Sequence, residues 1–94
     1  MEITKEMDLL LWDKFNLKVC EIAEAIIERM EECTEDEIED ELKYAMDLEL
    51  IYTEDLWTIM AYYQTPQEAN FSEAMELFYG DLLEILYILY KVNA

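Results

Sequence analysis

The side chains with the greatest capacity for chemistry in this chain are carboxylates. Between Glu28 and Glu41, nine of fourteen residues are acidic and one, Arg29, is basic. Glu21, Glu24, Glu28, Glu31 and Glu35 step by three and four, which on a continuous helix places them in one row. Neighbours in that row would lie roughly 4.5–6 Å apart along the axis. Glu32, Asp36, Glu39 and Asp40 extend it around Thr34, and Glu54 and Asp55 add a further pair. Like charges at this spacing cost a helix roughly a few tenths of a kcal/mol per pair. Interleaved lysines would relieve that cost, and they are missing.

Catalysis has little to work with. The chain has no histidine, so the commonest general base and the commonest metal ligand are both lacking. A di-iron carboxylate bundle needs Glu-x-x-His on two helices. A calcium loop needs a turn glycine among alternating acids, and the single glycine, Gly80, falls within a helical pattern. Ser72 has no histidine partner, and Cys20 and Cys33 form no Cys-x-x-Cys pair. No enzymatic activity, cofactor or metal site is expected. Along one helix the two cysteines would lie about 20 Å apart, so both are expected to be free thiols in a reducing cytoplasm.

The acids must therefore act as a charged surface. Twenty-four Asp and Glu against six Lys and Arg give a net charge of −18. That balance repels nucleic acid and anionic membranes and favours basic partners. Duplex DNA carries about one negative charge per 1.7 Å of axis, so eighteen charges correspond to roughly 30 Å of duplex. A rigid row of carboxylates can thus occupy a protein channel built for phosphates. A solvated acidic coat is the plainer use of the same residues. The one-sided rows and the scarcity of cations between them favour a binding surface.

The elements that must position these acids are helices. One Gly and one Pro leave little turn chemistry for a sheet, and apolar spacing is helical almost throughout. Thr4 caps a first helix reaching about Phe15, with Met7, Leu10, Leu11 and Lys14 on one side. Asn16 either caps a second helix or lies within a continuous one. Val19, Ile22, Ala23, Ile26, Met30 and Cys33 follow as an inner face. Thr34 to Glu37 reads as a capping box, opening a helix with Ile38, Leu42, Ala45 and Met46 inside. A bend with a short extended stretch, Leu48 to Tyr52, leads to a helix capped by Thr53, with Leu56, Ile59, Met60 and Tyr63 inward. Thr65-Pro66-Gln67-Glu68 is a further start signal.

The last helix spans about Phe71 to Val92 and carries two apolar stripes. Phe71, Met75, Phe78, Leu82, Ile85 and Leu89 form one; Tyr79, Leu83, Leu86 and Tyr90 form the other. Two stripes need two surfaces to bury against. The second is either the rest of the domain or a second copy, which would make Tyr79, Leu83, Leu86 and Tyr90 a homodimer interface. Gly80 costs stability inside this helix, which predicts a kink or a close backbone approach. The expected fold is all-α: one small acidic helical domain over residues 1–94, a bundle of four to five helices with a long C-terminal one. Charge is uneven along it, with 19 acids and five bases in residues 1–64 and five acids and one base in 65–94. The opening residues Met1 to Glu6 lack a basic start followed by an apolar run, and no long apolar span follows. A location in the cytoplasm of a bacterial host cell, away from membranes, is expected.

The stretch from Thr34 to Tyr63 resembles the Ocr-type antirestriction proteins of phages. The likeness rests on an acidic helix ending in Tyr44-Ala45-Met46-Asp47, then Leu50-Ile51-Tyr52-Thr53-Glu54-Asp55, then an apolar helix containing Leu56, Met60 and Ala61. It covers about a third of the chain. Met46 stands where the family has an acid, Leu50 where it often has a proline, and the strongly acidic tail is missing. The resemblance implies a dimeric, all-helical DNA mimic whose carboxylates stand for phosphates. The reading that follows is an inhibitor encoded by a phage or mobile element, bound in the DNA site of a basic host protein such as a restriction enzyme or a CRISPR effector. Glu21, Glu24, Glu28, Glu31, Glu32, Glu35, Asp36, Glu39, Asp40, Glu54 and Asp55 are its phosphate substitutes. The alternative is an acidic helical adaptor or chaperone that holds a basic protein or helix in an apolar groove.

Overall fold

The computed structural model describes residues 4–30, 33–51, 53–64 and 71–92. Five α-helices follow one another: α1 (Lys5–Lys14), α2 (Leu17–Glu28), α3 (Ile38–Glu49), α4 (Thr53–Tyr63) and α5 (Phe71–Val92), with a 3-10 turn at Glu35–Glu37 leading into α3. The fold is all-α, with no strand among the described residues. No helix is long and apolar enough to cross a membrane among them.

The first two helices start as the sequence predicts. Thr4 Oγ1 accepts from the Met7 amide at 3.2 Å, and Asn16 Oδ1 accepts from the Val19 amide at 3.0 Å. Each supplies an acceptor for an amide that a helix start leaves unpaired. Asn16 is therefore a cap, and α1 and α2 are separate helices. Phe15, extended and buried between them, turns the chain back on itself. Lys14 is not inside with Met7 and Leu11; its ammonium reaches Asp81 on α5 at 3.5 Å.

Three local expectations are corrected. Thr34 makes no side-chain cap, and its backbone carbonyl accepts from Glu37 at 3.0 Å to begin the 3-10 turn instead. The extended stretch after Asp47 does not form, because α3 continues through Glu49 and closes with Leu50 N–H donating to the Met46 carbonyl at 2.8 Å. Thr53 is the first residue of α4 itself. The start signal at 65–68 lies outside the described residues.

α5 is the axis of the bundle. It rests on α4, α3 and α1, while α2 closes the other side against α1, α3 and α4. Its first stripe is core: Phe78, Leu82, Ile85 and Leu89 are buried, with Phe71 and Met75 half-buried at the entry. Phe78 meets Phe15 edge-on at 5.5 Å, and Phe15 meets Tyr62 in the same way at 5.5 Å. The aromatic cluster thereby joins α1, α4 and α5 where α1 hands over to α2. Around it, Met7, Leu11, Val19, Ile26, Ile27, Ile38, Leu42, Ile59 and Met60 complete the interior.

The second stripe of α5 is also largely satisfied within the chain. Leu86 is 0% exposed, so it is core and unavailable to a second copy. Tyr79, Leu83 and Tyr90 are half-buried. The Tyr90 hydroxyl donates to the Cys33 carbonyl at 2.7 Å, and that of Tyr79 to the Glu39 carbonyl at 3.4 Å. The surface that buries this stripe is the α2–α3 junction and α3.

Gly80 lies on the solvent side of an uninterrupted α5, and a Cβ placed on it meets nothing within 4 Å. No close approach by a described residue explains the glycine. Its replacement should therefore recover helix propensity alone: Gly80→Ala is expected to raise the unfolding free energy by about 0.5–1 kcal/mol, read from denaturant melts. A loss of stability would show that the position serves a contact this fold does not contain.

Candidate functional site

The acids do not form the single row that their spacing allows, because α2 stops. Arg29 caps it, with its amide donating to the Ile26 carbonyl at 3.2 Å and that of Met30, already in a turn, to the Ile27 carbonyl at 2.9 Å. Glu21, Glu24 and Glu28 keep helical spacing, while Glu35 belongs to the 3-10 turn beyond the break. Glu31 and Glu32 lie outside the described residues.

A broader arrangement takes the row's place, spread across three helices. On α2, Lys18, Glu21, Ala25 and Glu28 run along one outer edge. Beside the C-terminal end of α2, Glu28 faces Glu37, Glu41 and Tyr44 across a depression of about 720 Å³. Beside its N-terminal half, Glu21 faces Glu49, Glu54 and Asp55 across another of about 380 Å³. Arg29 lines the first and Glu49 the second, and their side chains form an ion pair at the boundary. The result is an acidic face of two adjoining depressions along α2, one shared with α3 and the turn before it and the other with α4 and the end of α3. Glu37, Glu41 and Glu49 belong to it and were not among the expected residues. Glu37, Glu41 and Tyr44 do repeat at steps of four and three, a visible signal; Glu49 joins only through the packing of α3 on α2.

The remaining expected acids lie elsewhere. Glu39 is directed to the α5 tyrosines: the Tyr87 hydroxyl donates to Glu39 Oε1 at 3.5 Å. Glu35, Asp36 and Asp40 are exposed around the same α3 end. Glu24 turns toward α1, where its carboxyl lies beside that of Asp8. Asp8 Oδ1 is removed from solvent with no donor in hydrogen-bonding range. Burial, the contact with Asp8, and the charges of Asp8, Glu28 and Glu21 push the Glu24 carboxyl up. Asp55 is also pushed up, by burial and by the charges of Glu54 and Glu49.

Half of the cations are engaged in contacts within the chain. Lys14 pairs with Asp81, Arg29 pairs with Glu49, and the Lys43 ammonium lies 5.5 Å from the centroid of the Tyr79 ring. Three of the six bases thus serve internal contacts, and the face keeps a strong surplus of carboxylate. Such a face can bind cationic side chains. The thiols offer no competing chemistry: burial, followed by nearby acids, pushes Cys20 up, and burial and then Glu41 push Cys33 up. Both are therefore protonated, weak nucleophiles at neutral pH. Comparisons with protein-family models, curated proteins and solved structures find no match to this chain.

The Asp8–Glu24 contact gives a signed pH dependence. The folded-state pKa of Glu24 lies above its unfolded value, so its favourable contribution is complete below the ordinary carboxylate range and is lost as pH rises through the raised value. Glu24→Gln, which keeps a donor and removes one charge, is expected to raise Tm at pH 7, with the gain shrinking as pH falls toward 4. A gain that is independent of pH would show that the carboxyl pair is not its source.

Proposed function

We propose that this chain is an inhibitor that occupies the DNA-binding channel of a basic host protein, with carboxylates in the place of phosphates. The observation that carries the reading is the concave face on which Glu21, Glu28, Glu37, Glu41, Glu54 and Asp55 converge from α2, α3, α4 and the turn before α3. The size and charge of the whole molecule are in keeping with it. The long extent of 42 Å equals the rise of about twelve base pairs, which carry about 24 phosphates. Against these stand 18 net charges on the chain, so the two charge densities are of the same order. Glu21 and Glu28 are separated by about 10.5 Å along α2, close to three phosphate steps of one strand at about 3.4 Å each. The mimic holds its charges on packed helices, so binding it requires no bending of DNA.

The resemblance of residues 34–63 to the Ocr-type proteins points the same way, and a phage or mobile element is the natural source of such an inhibitor. Restriction enzymes and CRISPR effectors both present long basic DNA channels and are the target classes of this proposal. The face works on any of them through charge, which leaves the choice of target to other features.

The test is competition. Added to a complex of duplex DNA with a restriction enzyme or a CRISPR effector, the chain should displace the DNA in a gel shift, and the two should never bind together. Affinity should fall on the order of a hundredfold or more between about 50 and about 200 mM salt. Reversing Glu21, Glu28, Glu54 and Asp55 together to Lys should abolish displacement, while any one reversal should weaken it modestly. Affinity that stays flat across that salt range would sink the proposal.

A further inference from the structure

An acidic field attracts every cation-rich surface, and attraction alone does not discriminate among them. The edge between α2 and α4 holds a feature that a phosphate backbone does not have. The cavity that gathers Glu21, Glu54 and Asp55 continues into a second of about 650 Å³, the two sharing Lys18, Glu54 and Thr58 as walls. The second cavity is built from Trp57, Ala61 and Tyr62. Trp57 is 45% exposed, and its edge-on contact with Phe71 at 5.8 Å covers at most one face of the indole. Tyr62 is fixed: its hydroxyl donates to the Lys14 carbonyl at 2.6 Å and its ring abuts Phe15. The small side chain of Ala61 leaves space beside these two rings.

The groove is polarised along its length. Its aromatic end also carries the Asn16 cap of α2, whose N-terminal dipole disfavours cations, while Lys18 and Glu54 line both parts. Its other end carries Glu21, Glu49, Glu54 and Asp55, of which Glu49 is paired with Arg29. A ligand matched to it is apolar at one end and cationic at the other. A second copy of this chain would bring another −18 to the face, and nucleic acid would also arrive with the wrong sign.

We propose that this groove selects the partner, by accepting a basic segment of the target protein that carries one large apolar side chain. The apolar side chain seats against Trp57, Ala61 and Tyr62, and cationic side chains one or two helical turns away seat on Glu54, Asp55 and Glu21. The assignment rests on the partner being basic, as proposed above, and adds the anchor that charge cannot supply. Exposed, half-packed Trp and Tyr side chains are where binding energy concentrates in protein interfaces, and the cavity has the size of an ordinary ligand pocket.

Two synthetic helical peptides test it, each with four arginines at helical i, i+4 spacing. One carries Leu a turn before the first arginine and the other carries Ala there. They are titrated into the Trp12→Phe chain, in which Trp57 is the remaining indole reporter. The Leu peptide should shift Trp57 emission and bind on the order of tenfold more tightly than the Ala peptide. Salt should weaken both equally, preserving the ratio. Trp57→Ala, a change at a partly exposed position whose folding circular dichroism can verify, should erase the ratio and leave the shared salt-dependent binding, read by calorimetry. Equal affinities in the parent, or a ratio that survives Trp57→Ala, would overturn the groove and leave the acidic face standing. An intact ratio alongside failed DNA displacement would support the groove and overturn the mimicry. Absence of binding by either peptide at low salt would overturn both.

Discussion

Mutual repulsion among carboxylates is the constraint that the rest of this structure answers. Two unit charges 4 Å apart cost only about 1 kcal/mol in water, and salt screens them beyond roughly 8–10 Å. The chain nevertheless brings Asp55 beside Glu54 and Glu49, and Glu24 against Asp8, closely enough that burial and neighbouring charge raise the Asp55 and Glu24 carboxyls. A small domain has little stability to set against such crowding. The acids are therefore mounted on helices whose inner faces are apolar without exception: no polar or charged side chain is buried among the described residues. α5 supplies most of the counterweight. It is the longest helix, it lies in the charge-poor third of the chain, and it contacts α1, α3 and α4 at once.

The polar ties between helices follow from the same constraint. With cations scarce, neutral phenols do much of the work that lysine and arginine would do elsewhere. Tyr62 donates to the Lys14 carbonyl at the end of α1, and Tyr90 donates to the Cys33 carbonyl beyond α2; carbonyls at helix ends lack partners of their own. Tyr63 donates to Asp81, which Lys14 also approaches. Burial and the bond to Asp81 hold the Tyr63 phenol far above its ordinary pKa, so the donor persists wherever the protein folds. These contacts brace the bundle without adding to its charge or drawing cations from the surface.

The sequence makes the interior readable because helical periodicity is local. Met7 and Leu11, Val19 to Met30, Ile38 to Met46, and Phe78 to Leu89 are core as their spacing predicts. It misleads where a helix ends. Nothing in the i, i+4 steps of Glu21 to Glu35 reveals that the chain turns at Arg29, so a continuous row looked available and a three-helix face formed instead. Thr34 carries the residue types of a capping box, but the 3-10 turn after it directs the amides elsewhere. The second stripe of α5 was equally ambiguous: Leu86 in that stripe fits a dimer seam and a monomer core alike, and the approach of α3 decides between them. The groove at Trp57 was out of reach, because it depends on Lys18 and Trp57, far apart in sequence, lying across one cavity.

Charge and shape then divide the labour of recognition. Long-range attraction governs how fast a basic partner is found, and it weakens with salt. Close apolar contact governs how long the partner stays. A row of glutamates alone would collect every basic protein in a cell and hold each briefly. On the proposed reading, Glu21, Glu54 and Asp55 stand next to a half-open aromatic floor that α1 and α5 keep in position, through Phe15 on Tyr62 and Phe71 on Trp57. The exposed indole has no role in the core that would account for its 45% exposure, and it sits where the acidic face ends. If the partner is basic, as proposed, the apolar residues at the edge of the field, more than the number of acids within it, would determine which protein is held.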